Sequence, residues 1–149
     1  MDAPAVKPAD SGWSGLYRAA GVAALVMVGL ILVQVGVFIA WPPPSTVEGF
    51  LALFQGNRFL GLLSMDLLYL ADNALMVPIY LALYVALRPA GRSAMAIALA
   101  LGLVGLAAYY ASNTAFEMRA LSRQYAAATT EAQRTAVLAA GEALLAIYR

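Results

Sequence analysis

The chain has 149 residues, of which 63% are hydrophobic and only 11% are charged, whereas soluble domains carry about a quarter charged residues. So few charges cannot cover a globular surface, and a formal net charge of +1 without a basic run argues against nucleic acid as a partner. The sequence has no cysteine and no histidine, which removes disulfides, the usual zinc, copper and haem ligands and the common nucleophile and base pairs, so we predict no metal, no cofactor and no catalytic residue.

Residues 1–12 are polar and predict a short tail in front of a single helical membrane domain over 13–149. The apolar stretch 16–41 is longer than the core of a cleavable signal peptide. As a helix rising about 1.5 Å per residue, it also exceeds the hydrocarbon core of a bilayer, about 30 Å. Trp13 and Trp41 lie at its ends, where aromatic residues anchor membrane helices. We therefore predict a first membrane-spanning helix over 16–41.

The prolines at 42–44 end this helix, because proline lacks an N–H donor and disfavours helix in the residue before it. The next segment, 47–54, is apolar but too short to span, so we predict an interfacial or re-entrant helix. The stretch 59–87 is long enough for a second membrane-spanning helix, and a basic turn at 88–92 follows it.

A third membrane-spanning helix is predicted over 93–118, where apolar residues give way to a polar continuation. Thr130 with Gln133 three residues later matches a capping box, which predicts the start of a last helix. That helix, 130–148, has apolar residues on one face and charged residues opposite. The predicted fold is an all-α transmembrane helical bundle with three membrane-spanning helices plus interfacial and C-terminal amphipathic helices.

Basic residues determine the predicted orientation, because cytoplasmic loops of membrane proteins carry an excess of lysine and arginine. With alternating helices, Lys7, Arg18, Arg88 and Arg92 fall on one side, and the first loop has only Arg58. Two further arginines after the third span count against this bias. We predict a plasma-membrane protein with a cytoplasmic N-terminus.

Six residues of the second predicted span fall within an arc of about 80° at 100° per residue. They form a polar and aromatic stripe: Asp66, Tyr69, Asn73, Met76, Tyr80 and Tyr84. Asp72 lies about 40° beyond this arc. An ionised carboxylate in hydrocarbon costs roughly 2.5–3.5 kcal/mol. We therefore expect Asp72 and Asn73 to face other helices or a wet cavity, with bonded Tyr80 and Tyr84 hydroxyls on the same side.

Alternating topology also brings polar residues from all three spans into the outer half of the protein. This candidate polar cluster contains Gln34, Asp66, Asp72, Asn73, Asn113, Glu117 and Arg119. One interpretation is an outward-facing site for protons, cations or a small polar solute. The other is structural, with polar groups bonded between helices or paired with Arg119. The sequence leaves both open, and Asp66 has a third option at the interface, where it needs no partner.

Three runs of the sequence carry a family resemblance: WPPP at 41–44, DLLYLADNALMVPIYLALY at 66–84 and LSRQYAAATTEAQR at 121–134. They resemble uncharacterised bacterial multi-pass membrane proteins of the type grouped near the domain-of-unknown-function 4386 family. The resemblance implies a bacterial membrane protein. It also implies a longer protein, with further membrane helices after the amphipathic segment, but no activity, substrate or site residue.

The first functional hypothesis is a non-catalytic subunit or self-associating protein whose helices pack, within the lipid bilayer, against a protein partner or a second copy. Small residues at Ala94, Ala98, Gly102 and Gly105 permit such close packing, although alanine-rich helices also produce this spacing by chance. The alternative is a transporter or channel-like component that uses the polar cluster. Three helices are few for a pathway, so this alternative needs oligomers or additional helices.

Overall fold

Across residues 12–148, which are described by a computed structural model, the chain is helical with short connections. The helices are α1 (Ser14–Ala40), α2 (Val47–Gly56), α3 (Arg58–Leu63), α4 (Leu67–Leu87), α5 (Arg92–Ser112), α6 (Ala115–Ala127) and α7 (Glu131–Tyr148). The predicted tail at 1–12 lies outside the described residues apart from Gly12, and so does Lys7, on which part of the predicted orientation depends.

Three helical segments are long and apolar enough to cross a membrane, as the sequence predicts. They are α1, α4 and the stretch that contains α5 and continues into α6. With 27 residues in α1 and 21 each in α4 and α5, a rise of about 1.5 Å per residue gives about 40 Å and about 31 Å. Both lengths match or exceed a hydrocarbon core of about 30 Å. We call α1, α4 and α5 the long-helix bundle, in which α4 packs against both others.

Small residues let the long helices approach one another closely. Ala20 and Ala23 are buried on α1, and Ala82 is buried on α4, against which α1 packs. On α5, a Cβ atom at Gly102 would lie only 2.9 Å from a ring carbon of Tyr80 on α4. Part of the small-residue pattern predicted for the third span is therefore used within the chain.

The two ends of the long-helix bundle differ. At one end the Arg88 guanidinium lies 5.6 Å from the centroid of the Trp13 ring, a distance typical of a cation–π interaction. This contact places the turn after α4 beside the start of α1, so Arg18 and Arg92 belong to the same end. At the other end the long helices lead into four shorter ones.

Those four helices, α2, α3, α6 and α7, form a second unit that we call the cap. Within it α6 packs against the three others. The cap has a buried apolar core made of Val47, Phe50, Leu51, Phe54, Met65, Ala115, Met118 and Leu145. The segment 47–54, predicted to be interfacial or re-entrant, is part of α2, and its buried apolar side chains belong to this protein core.

Polar side chains determine where the cap helices begin. The Thr46 hydroxyl accepts a hydrogen bond of 3.2 Å from a backbone N–H in the first turn of α2. The Asn57 side-chain oxygen accepts two from the first turn of α3, at 3.1 and 3.0 Å. Before α7, Thr130 and Gln133 exchange two hydrogen bonds of 3.2 Å, which confirms the predicted capping box.

Two glycines allow the cap helices to pack at short range. A Cβ atom at Gly61 would lie 2.5 Å from the Phe54 ring, and one at Gly141 of α7 would collide with Val47 of α2. A larger side chain at either glycine would force helices apart or distort their side chains.

The structure differs from the sequence prediction at two helix breaks. The stretch 59–87, predicted as one helix, is divided at 64–66 into α3 and α4. Asp66 there has left-handed backbone angles, φ 64° and ψ 31°, which aspartate tolerates better than most residues. The predicted helix 93–118 is likewise divided at 113–114 into α5 and α6. Neither break contains glycine or proline, but Ser112, Asn113 and Thr114 are residues that favour caps and turns, and Thr114 with Glu117 has the spacing of a capping box.

Candidate functional site between the cap and the long helices

Amide side chains join the long helices to the cap through hydrogen bonds to main-chain carbonyls. Gln34 Nε2 on α1 donates to the Leu63 carbonyl at 3.1 Å, and Asn113 Nδ2 donates to the Met65 carbonyl at 3.1 Å. Both acceptors lie at the break between α3 and α4, where the regular helical hydrogen-bond pattern is interrupted, and the Leu63 carbonyl also accepts from the Asp66 N–H at 3.2 Å. Asn113 Oδ1 also accepts from the backbone N–H of Ala115 at 3.2 Å. These two members of the predicted cluster therefore stabilise the breaks.

Asp66 links the start of α4 to the end of α7. The Tyr148 hydroxyl donates to Asp66 Oδ2 at 2.7 Å. Burial raises the pKa of Asp66, and the hydrogen bond from Tyr148 opposes that increase only in part. Burial also raises the pKa of Tyr148, and its hydrogen bond to Asp66 adds to that effect. Asp66 is thus bonded within the protein and does not need the interfacial position considered from the sequence.

Asp72 is the least satisfied polar residue of the predicted cluster. It is only 4% exposed, and neither of its carboxylate oxygens has a hydrogen-bond partner among the described residues. The buried Tyr109 hydroxyl on α5 is also unpartnered there. Burial confirms that Asp72 faces protein. Because buried polar groups are nearly always hydrogen-bonded, Asp72 is the strongest candidate of the cluster for binding a proton, a cation or water.

The remaining cluster residues do not join Asp72. Asn73 is half-buried and donates to the Tyr69 carbonyl of its own helix at 2.8 Å. Glu117 is exposed and lines an open groove. Arg119 lines a separate cavity in the cap.

Pairing of Arg119 with an aspartate, one of the structural alternatives, is not found among residues 12–148. Within residues 12–148 the one ion pair joins Arg134 to Glu131, at 3.9 Å. The break at 113–114 places Arg119 on α6, in the cap, and its face of that helix is directed toward the cavity described above.

The aromatic stripe of α4 is directed toward α5. Tyr80 packs on Gly102, and Tyr80 and Tyr84 together line a cavity with Met95 and Leu99 of α5. The Tyr80 and Tyr84 hydroxyls were expected to be hydrogen-bonded, but neither makes such a bond within the described part of the chain. These rings therefore act through packing.

Several side chains that bond one helix to another within the bundle or within the cap were missed in the sequence. Tyr110 donates to the Leu70 carbonyl at 2.6 Å, Thr114 to the Leu144 carbonyl at 3.3 Å, and Ser122 to the Leu51 carbonyl at 2.9 Å. In the sequence these donors are ordinary helix residues, and their acceptors are backbone atoms that carry no residue signature. Tyr148 was assigned to an apolar face, where only its hydroxyl signalled a polar contact.

The arrangement does not assemble recognised catalytic chemistry from the described residues. Over residues 12–148, no group of three or more aspartate or glutamate side chains could hold a metal ion. No family model matches the chain, and neither a curated protein nor a solved structure matches it.

Proposed function

We propose that this chain is a non-catalytic integral membrane protein, a subunit or a self-associating protein, that acts through helix packing against a partner or a second copy. The observation that carries this proposal is how the polar residues are used. Gln34 and Asn113 bond main-chain carbonyls at the junction, Tyr148 bonds Asp66 there, and Tyr110 joins α5 to α4 within the bundle. The junction bonds hold the cap against the long helices and engage Gln34, Asp66 and Asn113 of the candidate polar cluster in structural contacts.

The outer face of α1 supports association. At 100° per residue, Gly29 and Gly36 lie on the side of α1 opposite the buried Ala23 and Gln34. A side chain at either glycine would meet no atom within 4 Å. Such a face allows the backbone of another helix to come close, which is how helices associate in lipid.

The proposed location is the plasma membrane of a bacterium, in agreement with the family resemblance. Arg18, Arg88 and Arg92 share one end of the long-helix bundle, whereas the cap lies at the other. Together with Lys7 of the sequence, these arginines support a cytoplasmic position for this end, whereas Arg58, Arg119 and Arg123 of the cap count against it. The cap would then lie on the outer side.

The mass of the particle in mild detergent tests the proposal. We expect a dimer or a complex with copurifying subunits, and dissociation when Gly29→Leu and Gly36→Leu are combined. Ala108→Leu, a matched enlargement at an exposed position of α5, should leave the mass unchanged. A monomeric wild-type particle without copurifying protein would refute association. If only Ala108→Leu causes dissociation, the association surface is on α5 and not on α1.

The buried Asp72 favours one second candidate, a transporter or channel-like component for protons, cations or a small polar solute. An unpaired carboxylate within a membrane helix is costly and is most often functional. Proton and cation flux into vesicles containing the full chain tests this candidate. We expect Asp72→Asn to abolish flux, and Glu142→Gln, an exposed carboxylate of α7, to preserve it. Absence of flux in the wild-type protein leaves Asp72 without a transport role.

A further inference from the structure

An open cavity in the cap lies between α2, α3 and α6, apart from the polar cluster. Its volume is about 320 Å³, and its lining includes Gln55, Arg58, Arg119 and Arg123. Small-molecule sites commonly have volumes from about 300 Å³ upward. The cavity is therefore large enough for a small ligand and is rich in one kind of charge.

The floor of this cavity is well packed. Phe54 is 2% exposed, and its ring lies against Gly61, where a Cβ atom would be 2.5 Å from the ring. Ser122 is also 2% exposed, and its hydroxyl donates to the Leu51 carbonyl at 2.9 Å. Because both floor residues are buried in the cap, they hold α2, α3 and α6 in fixed relation and present the arginines from a rigid surface.

The charges of the cavity are not neutralised by the protein. None of the residues that line it is acidic, and the ion pair of the described residues belongs to Arg134 on α7. Arg119 is half-buried, and its Nε is fully buried without a hydrogen-bond partner among residues 12–148. Three guanidinium groups around one cavity repel one another, and a buried donor without an acceptor is unfavourable. An anion would remove both costs.

We infer that this cavity binds a phosphate-bearing anion. Arginine presents a planar array of N–H donors that matches the oxygens of phosphate, often through two bonds at once. Arg119 and Arg123 lie about 6 Å and about 12 Å beyond Ala115, where α6 begins, at about 1.5 Å per residue. The site thus lies along α6, among the cap helices. A soluble phosphate ester and a phospholipid headgroup present the same group there.

Titration of the purified full chain with inorganic pyrophosphate, in uncharged detergent at low salt, is the first test. We expect heat of binding in the wild-type protein, and binding about tenfold weaker or more in Arg119→Gln and in Arg123→Gln, because each loses charge-assisted hydrogen bonds. Arg134→Gln removes the same charge elsewhere on the cap side and should bind like the wild type. Arg123 is exposed, so Arg123→Gln decides the result even if Arg119→Gln fails to fold.

Lipid is the second arm of the test. The same four proteins are placed in nanodiscs of phosphatidylcholine with or without phosphatidic acid, and retained lipid is measured by native mass spectrometry. Retention of phosphatidic acid that is lost in Arg119→Gln and Arg123→Gln identifies a headgroup as the source, whereas pyrophosphate binding alone identifies a soluble phosphate. Binding in neither arm overturns the inference. Binding that both arginine variants preserve, or that Arg134→Gln weakens equally, also overturns it.

Discussion

The cap and the long-helix bundle place similar apolar side chains in opposite environments. Leu51 and Met118 in the cap are 1% and 0% exposed, whereas Leu25 and Ile39 on α1 are both 77% exposed. The cap therefore buries its own core as a water-soluble domain does, and the long helices leave theirs outside. Apolar composition alone therefore does not show whether a helix of this chain is buried in protein or exposed on its surface. The bundle needs lipid or a partner around it, but the cap supplies its own cover.

Substitution of matched leucines should show this difference most strongly. Leu51→Ala removes a buried side chain of the cap core and should lower the free energy of unfolding by about 2–5 kcal/mol, through lost burial and a cavity. Leu25→Ala removes a side chain that contacts little protein and should change it by about 0.5 kcal/mol or less. Thermal unfolding of both variants in the same detergent measures the contrast. Equal losses would show that α1 is buried by another chain.

The long helices were predictable, because apolar composition alone determines them. The helix breaks where the bundle meets the cap were not predicted. Three apolar stretches exceed the thickness of a bilayer, so three long helices follow from the sequence. The division of 59–87 could not be predicted, because residues 64–66 contain no helix breaker. The carbonyls left by the break are bonded by Gln34 and Asn113, which are distant along the chain. The cap core was also missed, because its residues come from helices that are distant along the chain.

Two glycines of α5 allow a second comparison, between helix packing within the bundle and the bundle's outer face. Gly102→Val would press its side chain on Tyr80, and should lower the free energy of unfolding by about 1–3 kcal/mol more than Gly105→Val. At Gly105 an added Cβ atom meets nothing within 4 Å. Both substitutions change helix propensity equally, so the difference between their unfolding midpoints isolates the contact. No difference would place Tyr80 away from α5.

The sequence predicted the burial of Asp72 in the candidate site, but not which residues contact the polar groups of that site. Asp72 stood out because a carboxylate within an apolar stretch must find cover, and the structure buries it. One alternative left open by the sequence, pairing with Arg119, is not found, because α5 ends before 113–114 and Arg119 lies on α6 in the cap. Sequence distance also concealed Tyr148, which contacts Asp66 across 82 residues. Long-range contacts of this kind carry no local pattern.

The smallest expected effect concerns pH and the junction between the two units. Burial raises the pKa of Asp66 above its ordinary value of 3.8, so the folded protein binds this proton more tightly than the unfolded chain does. The resulting stability is fully present below about pH 4 and is lost as the pH rises through the raised pKa. Asp66→Asn keeps a residue that tolerates left-handed backbone angles and removes the titration. We therefore expect the unfolding temperature of the wild type to fall between pH 4 and pH 7 more than that of Asp66→Asn.

Tyr148→Phe sharpens this expectation, because its hydroxyl stabilises the charged form of Asp66. Without that hydrogen bond the pKa of Asp66 rises further, and the decline in stability with increasing pH should extend to a higher pH than in the wild type. Glu142→Gln, at an exposed position of α7, serves as the control and should keep the wild-type profile. If the wild type and the three variants Asp66→Asn, Tyr148→Phe and Glu142→Gln lose stability equally as the pH rises, the pH dependence arises from other groups. The junction would then hold through amide hydrogen bonds such as that from Gln34 Nε2 to the Leu63 carbonyl, which do not titrate.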